Sequence, residues 1–154
     1  MEFPEIGHVG YMVDHVDTSV EKMGEAWGIQ DFVVYDFVPQ RAWSYGKEIF
    51  DCKLRIALGT PATGAKVELV EFVSGNGIPH QEFMRHVGQN IHHIAYYVDD
   101  YETAKQHVMS QPGAAIIFEA EIEDETLGKR QSFYCTYDGA PGVFEFSRKP
   151  TRLK

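Results

Sequence analysis

The sequence predicts an α+β fold made of two βαβββ repeats, and three observations lead to this prediction. A short apolar segment at residues 8–14, HVGYMVD, recurs past the midpoint at residues 93–99 as HIAYYVD. A helix-like stretch follows each copy. Each half then ends in a strand-like segment with one glutamate between apolar neighbours, Glu68 in the first half and Glu145 in the second. Such an internal repeat indicates two copies of one structural unit.

The first half contains one predicted helix and four predicted strands. Runs of apolar, β-branched and aromatic residues predict strands at residues 6–13, 32–38, 51–58 and 66–73. Residues 18–21, TSVE, have the form of a capping box, and Gly28 is a suitable helix end, so we expect the helix between them. Residues 40–48, which include Trp43 and Tyr45, predict a loop.

The second half repeats this order. A strand is predicted at residues 91–98, and a helix begins at Asp99 or Asp100 and ends before Pro112-Gly113. Strands follow at residues 115–121, 131–137 and 142–147. A connector joins the halves, and its residues 79–87 suit a short helix with Pro79 in the first turn. We therefore divide the chain into a first module (1–74), a connector (75–89) and a second module (90–154) within one compact domain.

Composition excludes several functional classes. With 154 residues, of which 44% are hydrophobic, the chain can bury a core. Its net charge of −9 argues against nucleic acid as a partner, because phosphates attract a Lys- and Arg-rich surface. No apolar run approaches the ~20 residues of a membrane-spanning helix. Residues 1–5, MEFPE, lack the basic and apolar segments of a secretory signal, so we expect none. Cys52 and Cys135 form no CxxC motif, so we expect a cytoplasmic protein without a disulfide framework.

The two histidines and two glutamates of the repeats are candidate metal ligands. Side chains alternate between the faces of a strand. His8 and His93 therefore share a face that is opposite to the apolar residues next to them, and the same holds for Glu68 and Glu145. A buried carboxylate is costly without a partner, and a divalent cation supplies one. Two imidazoles and two carboxylates suit Zn²⁺, Ni²⁺, Co²⁺, Mn²⁺ or Fe²⁺.

Other chemically active residues compete for a role in this site. Strand alternation places His92 and Glu71 on the opposite face from the candidate ligands, and we expect Glu71 to face solvent. His80 and His86 in the connector are predicted surface residues. Glu48 and Asp51 precede a strand and are further candidates to reach the site.

The cysteines and aromatic residues have simpler interpretations. Cys52 and Cys135 are predicted to be small buried residues, and residues 119–125, rich in acids, to be a solvated loop. Six aromatic residues are candidates to line a substrate pocket, although core packing is their first expected role: Trp43, Tyr45, Phe50, Phe118, Phe133 and Tyr134.

At these motifs the chain resembles the vicinal oxygen chelate superfamily, which includes glyoxalase I, methylmalonyl-CoA epimerase, extradiol dioxygenases and bleomycin-resistance proteins. The resemblance covers about residues 5–149. Residues 67–71, VELVE, and 90–95, NIHHIA, are most similar to the epimerase and glyoxalase-like branch. It implies two βαβββ modules that form a U-shaped mixed sheet around a metal, with helices on the convex face. The implied metal ligands are His8, Glu68, His93 and Glu145.

The chain departs from the epimerases in two respects. Before the last strand it reads CTYDGAPG at residues 135–142, where epimerases usually carry a His-Pro-Lys type segment. Basic residues that would bind a CoA phosphate are sparse, and the candidates are Arg41, Lys47, Arg55 and Arg130.

The expected function is a metal-dependent isomerase, epimerase or lyase that acts on a small carbonyl compound or thioester. The metal would stabilise an enolate or enediolate while a carboxylate moves the proton, with Glu145 the first candidate for this base and Glu68 the second. One alternative is an Fe²⁺ extradiol-type dioxygenase, against which the fourth ligand counts. The other is a non-catalytic drug-binding protein, a class that generally lacks the metal ligands. We expect a homodimer, and the metal site lies either within one chain or across two.

Overall fold

A computed structural model describes residues 2, 4–124 and 128–149. The predicted α+β class is confirmed: the described residues form three helices and ten strands in one curled mixed sheet. The helices are α1 (Val16–Trp27), α2 (Pro79–His86) and α3 (Tyr101–Met109). The strands are β1 (Ile6–Met12), β2 (Phe32–Phe37), β3 (Arg41–Ser44), β4 (Lys47–Ile49), β5 (Lys53–Gly59), β6 (Lys66–Ser74), β7 (Asn90–Val98), β8 (Ala114–Asp124), β9 (Gly128–Tyr137) and β10 (Val143–Arg148).

The order of the strands reflects the sequence repeat. It runs β2-β5-β6-β1-β7-β10-β9-β8-β3-β4. The two first strands of the halves, β1 and β7, lie antiparallel at the centre, and each has a parallel neighbour, β6 or β10. The candidate ligands therefore lie on the four adjacent central strands.

The predicted loop at residues 40–48 is instead a β-hairpin. Strands β3 and β4 are joined by Tyr45 and Gly46, both with positive φ (50° and 79°), as in the two-residue turns that suit hairpins. A tyrosine seldom adopts this conformation, so the sequence lacked the usual turn signal. The hairpin pairs with β8 of the second half.

This hairpin brings the two ends of the sheet together. Residues 38–40 alone separate β2, at one end of the strand order, from β3, which is next to the strand at the other end. The four Cα–Cα steps from Phe37 to Arg41 span at most about 14 Å. Gln40 fixes the link, because its N–H donates to the Glu121 carbonyl at 3.0 Å and its side-chain oxygen accepts from the Glu123 N–H at 3.0 Å. The sheet thus curls around an interior space.

Apolar residues form three clusters that the sheet separates. On the convex face α1 covers Ala57 and Leu69, and α3 covers Phe133 and Phe146. The third cluster is inside the curl and includes Met12, Leu54, Ile78, Phe118 and Tyr134. Residues of α2 pack against this inner cluster, so α2 closes one end of the interior while α1 and α3 lie outside.

Three local predictions were wrong. Helix α1 begins at Val16 and not at the capping box, because the carboxylate of Glu71 accepts a hydrogen bond from the Val16 N–H at 2.9 Å. Glu71 is therefore not a solvent-facing residue but supplies the missing acceptor at this helix end. The acidic residues 119–124 extend strand β8, since β9 pairs with them throughout; Glu125 lies outside the described residues. Among the described helices none has the length and apolarity needed to cross a bilayer.

Candidate metal centre

The four candidate ligands converge on the concave face of the sheet. His8, Glu68, His93 and Glu145 each offer one donor atom, and these atoms all lie within 4.8 Å of one another. All four side chains are buried, with residue exposures of 7% or less. They come from one chain, so the cluster does not need a second copy to be complete.

The donor atoms are in direct contact. The Nε2 atoms of His8 and His93 are 3.1 Å apart, and each lies within 3.1 Å of Glu145 Oε2. Glu68 Oε1 is 3.6 Å from His8 Nε2 and 3.4 Å from His93 Nε2. Neighbouring donors around an ion with bonds of about 2.1 Å lie about 3.0–3.4 Å apart in octahedral or tetrahedral coordination. These contacts therefore fit one coordination sphere.

Strand alternation places the four residues as the sequence predicted. The neighbours of Glu68 and Glu145, such as Leu69 and Phe146, pack under the helices on the convex face. Gly10 faces inward beside His8, and a Cβ at this position would lie 2.1 Å from His93 Cε1. Glycine at position 10 thus provides the space that the His93 ring occupies.

Each imidazole is oriented through its second nitrogen. His8 Nδ1 lies 2.8 Å from the Tyr97 hydroxyl, and His93 Nδ1 lies 2.9 Å from His92 Nδ1. A histidine that binds a metal through Nε2 carries its proton on Nδ1 and donates it to such a partner. Both Nε2 atoms are therefore left to face the cluster.

The prediction that His92 faces away from the site was wrong. Gly10 pairs with His93, but the next residue, Tyr11, pairs with Ile91, so β7 holds one extra residue at His92. This β-bulge interrupts the alternation of side chains. His92 consequently lies inside, where its ring contacts Phe83, Tyr134 and His80.

The two carboxylates are held differently. Glu145 Oε1 accepts a hydrogen bond from the Ser147 hydroxyl at 2.6 Å, and the Tyr134 hydroxyl also interacts with this carboxylate. Within the described residues the carboxylate of Glu68 contacts the two imidazoles, at 3.4 and 3.6 Å. Glu145 is thus anchored on several sides and Glu68 on one.

Charge coupling within the cluster shifts its protonation. Burial disfavours a charged His93, but hydrogen bonds and charges of Glu145 and Glu68 outweigh burial and raise its pKa to about 9. The pKa of His8 is raised for the same reasons. Although burial opposes ionisation of Glu145, His8 and His93 hold its pKa well below the usual range. Without a metal the imidazoles hold protons that face the carboxylates, and a bound cation would replace these protons.

A cavity of about 460 Å³ adjoins the cluster, and His8, Glu68 and Glu145 form part of its wall. Of the six aromatic residues considered from sequence, Phe118 and Tyr134 line it. Phe133 packs under α3, Trp43 lies outside this cavity, and Tyr45 and Phe50 are exposed.

Sequence reasoning missed two further tyrosines of the cavity wall, Tyr35 and Tyr97. Tyr97 was on the correct face of β7 by alternation, whereas Tyr35 reaches the site only because β2 curls over it. Burial, with the charge of Glu68, raises the pKa of Tyr35 to about 12 and that of Tyr97 further. Both stay protonated and can act as hydrogen-bond donors.

His80 is wholly buried, contrary to the prediction that it lies on the surface. It is on the inner side of α2, and its ring contacts Phe118 and Tyr134. His86, on the outer side of the same helix, is exposed as predicted.

The other acidic candidates do not line the cavity. Glu48 pairs with Arg41 on the outside of the hairpin, with Arg41 Nε 3.1 Å from Glu48 Oε1, and Asp51 is exposed. Arg55 pairs with Asp17. Of the basic residues considered from sequence, Arg130 lines the cavity. Cys52 and Cys135 are buried free thiols, as predicted.

Comparison with known proteins identifies the family. A family model for the glyoxalase/bleomycin resistance protein/dioxygenase superfamily matches residues 7–133. The chain belongs to this superfamily. The match includes three of the four candidate ligands and most of both modules, and it confirms the vicinal oxygen chelate resemblance. No significant match was found among curated proteins.

Solved structures show the same superfamily fold. Methylmalonyl-CoA epimerase from Mycobacterium tuberculosis superposes with a TM-score of 0.71 at 18% identity, covering 97% of this chain and 90% of the other. A Streptomyces coelicolor methylmalonyl-CoA epimerase in complex with 2-nitronate-propionyl-CoA gives 0.66 at 15% identity, covering 97% and 100%. A Streptomyces coelicolor 4-hydroxymandelate synthase mutant gives 0.64 at 15% identity, covering 99% and 51%. The buried His/Glu cluster has the composition and spacing to hold a metal.

Proposed function

We propose that the protein is a divalent-metal-dependent isomerase, epimerase or lyase that moves a proton on a small carbonyl compound or thioester. The observation that carries this proposal is the convergence of His8, Glu68, His93 and Glu145 within 4.8 Å beside a cavity of about 460 Å³. A cavity of this size suits a small molecule. Epimerases with a similar fold support the choice of proton transfer.

The four residues would hold the metal, and Tyr97 and His92 would orient the two imidazoles from behind. A divalent ion in this position supplies Lewis acidity towards a substrate oxygen, which lowers the cost of removing a proton from the adjacent carbon. The remaining chemistry belongs to the side chains. If the Nδ1–H group of His8 donates a hydrogen bond to the Tyr97 oxygen, the Tyr97 hydroxyl is free to donate its own hydrogen bond to a substrate oxygen in the cavity.

A carboxylate is the proposed base, and the hydrogen bonds favour Glu68 over the first sequence candidate, Glu145. Ser147 and Tyr134 hold Glu145 in place, whereas among the described residues Glu68 is held by the two imidazoles. A carboxylate that moves towards substrate needs few other anchors. We therefore assign proton removal to Glu68 and retain Glu145 as the second candidate.

The test is solvent deuterium incorporation at the substrate carbon by metal-loaded protein, starting with methylglyoxal hemithioacetal and methylmalonyl-CoA. We expect exchange in the wild type and a loss of about 10²–10⁴-fold in Glu68→Gln, because general base catalysis contributes that much. Glu71→Gln is the matched control, since Glu71 is on the same strand but faces α1. Metal content, measured in parallel, separates loss of the base from loss of the ion.

Three results would contradict the proposal. Absence of exchange with active, metal-loaded protein removes proton transfer. Oxygen consumption with a catechol would favour the Fe²⁺ dioxygenase. Failure to bind any divalent ion would favour the non-catalytic binding protein.

A further inference from the structure

A cation that has no carboxylate partner among the described residues lies in the cavity wall. Arg130 is on β9, on the same face as Ser132 and Tyr134, and it is half-buried. The ion pairs of the described residues do not include it. The surface arginines Arg41 and Arg55, by contrast, each contact an acidic side chain.

Arg130 is close to the metal-ligand cluster. Its guanidinium interacts with the Tyr35 hydroxyl, and its charge also acts on Tyr97. Tyr97 in turn lies 2.8 Å from His8 Nδ1. Arg130, both tyrosines and His8 line the same cavity.

A second cation lies at the same end of the cavity. Lys66 pairs in register with His8, is half-buried and lines the cavity, and none of the ion pairs of the described residues includes it. Strand register places Lys66 and Arg130 towards the end of the interior opposite to α2. A molecule that enters from this end meets the two cations before it meets the carboxylates.

Charge balance determines what this end of the cavity accepts. The chain carries a net charge of −9, yet Glu68 and Glu145 are already matched by imidazoles. A partly desolvated guanidinium attracts an oxyanion more strongly than one in water, and it binds carboxylate or phosphate with two parallel hydrogen bonds.

We propose that Arg130, assisted by Lys66, forms an oxyanion subsite that binds a carboxylate or phosphate group of the substrate. This inference rests on the proposed function and narrows its substrate to an anionic carbonyl compound. The anionic group contacts Arg130 at the open end, and the reacting carbon then faces Glu68 and the tyrosine hydroxyls. A neutral carbonyl compound of the same size offers Arg130 no anionic partner and binds more weakly.

The test measures the dissociation constants of small probes for the metal-free protein by ligand-observed NMR. Three small carbonyl compounds serve as probes: pyruvate carries a carboxylate, dihydroxyacetone phosphate a phosphate, and pyruvamide no charge. We expect at least one anion to bind about tenfold or more tightly than pyruvamide, because a charge-assisted hydrogen bond contributes that much. The anion that binds more tightly shows whether the subsite prefers a carboxylate or a phosphate group.

Arg130→Gln should abolish the preference for the anion, and Lys66→Gln should reduce it. Arg55→Gln is the control, since Arg55 pairs with Asp17 on the surface. Circular dichroism checks that each variant folds. Equal affinities of the wild type for pyruvate, dihydroxyacetone phosphate and pyruvamide would overturn the subsite. An undiminished preference for the anions in folded Arg130→Gln would do the same.

The outcome is independent of turnover. Loss of anion preference in Arg130→Gln upholds the subsite even if no deuterium exchange is found, in which case the proposed function fails alone. Exchange with an intact anion preference in Arg130→Gln would uphold the proposed function and remove the subsite.

Discussion

His80 is buried although neither ring nitrogen has a hydrogen-bond partner among the described residues. Burial, with the charge of His93, lowers its pKa to about 3, so it stays neutral in the folded protein. An unpartnered polar group in an aromatic environment costs stability. The rings of His92, Phe118 and Tyr134 around it would accept a fully apolar ring.

His80→Phe should therefore increase stability, and more so in acid. In the unfolded chain the histidine has a pKa near 6.5, so it binds a proton that the folded state does not. His80 therefore lowers the stability of the wild type as pH falls below 6.5, and its own contribution reaches about 2 kcal/mol at pH 5 for a folded pKa near 3. Urea unfolding of metal-free protein at pH 7.5 and 5 should give a larger gain for the variant at pH 5.

His86→Phe is the matched control, because His86 is on the same helix but exposed. It should leave the pH dependence of the free energy of unfolding unchanged. If His80→Phe and the wild type lose stability in parallel on acidification, His80 is protonated in the folded state and our interpretation of its burial is wrong.

At the scale of single elements, the bulge in β7 brings a second histidine of this strand to the inner face of the sheet. It turns both His92 and His93 inward and places their Nδ1 atoms 2.9 Å apart. Burial, together with the charges of His80 and His93, lowers the pKa of His92 well below its ordinary value. His92 is therefore neutral, and its Nδ1 can accept a hydrogen bond from the Nδ1–H group of His93. Bulges commonly re-aim side chains next to functional sites.

His92→Phe should weaken metal binding by about 10–100-fold without unfolding the chain, as loss of a partner behind a ligating histidine commonly does. His92→Asn retains an acceptor and should recover part of the affinity. Competition with a chromophoric chelator measures the dissociation constant, and His107→Asn on α3 is the control. Equal affinity of His92→Phe and wild type would show that His92 does not orient His93.

The regular and irregular strands also explain which features of the fold and of the candidate site could be predicted from the sequence. Alternation correctly placed His8, Glu68 and Glu145, because the parallel pairings of β1 with β6 and of β7 with β10 keep one register through these positions. It failed for His92, since a bulge leaves no marker that a period of two would detect. The Tyr45–Gly46 turn was missed for a related reason: the turn needs a tyrosine at positive φ, which pairing with β8 stabilises from outside the local sequence.

At the scale of the whole molecule, the two sequence repeats are joined into one folding unit. The β3–β4 hairpin of the first half pairs with β8 of the second, and β1 pairs with β7. The inner cluster combines Met12 and Leu54 from the first half with Phe118 and Tyr134 from the second. The cavity and the candidate metal centre lie between the halves, so neither half contains a site by itself.

We therefore predict a single cooperative unfolding transition for the metal-free chain. Trp27 on α1 reports on the first half, and Trp43 on β3 reports on the junction with β8. In the single-tryptophan variants Trp43→Phe and Trp27→Phe, fluorescence and far-UV circular dichroism should give coincident urea midpoints within each protein, as two-state unfolding requires. Separate midpoints would mean that the modules at 1–74 and 90–154 unfold independently, and the shared core would then be too weak to couple them. Coincident midpoints would instead mean that the ligands of the two halves are brought together, and lost, in one step.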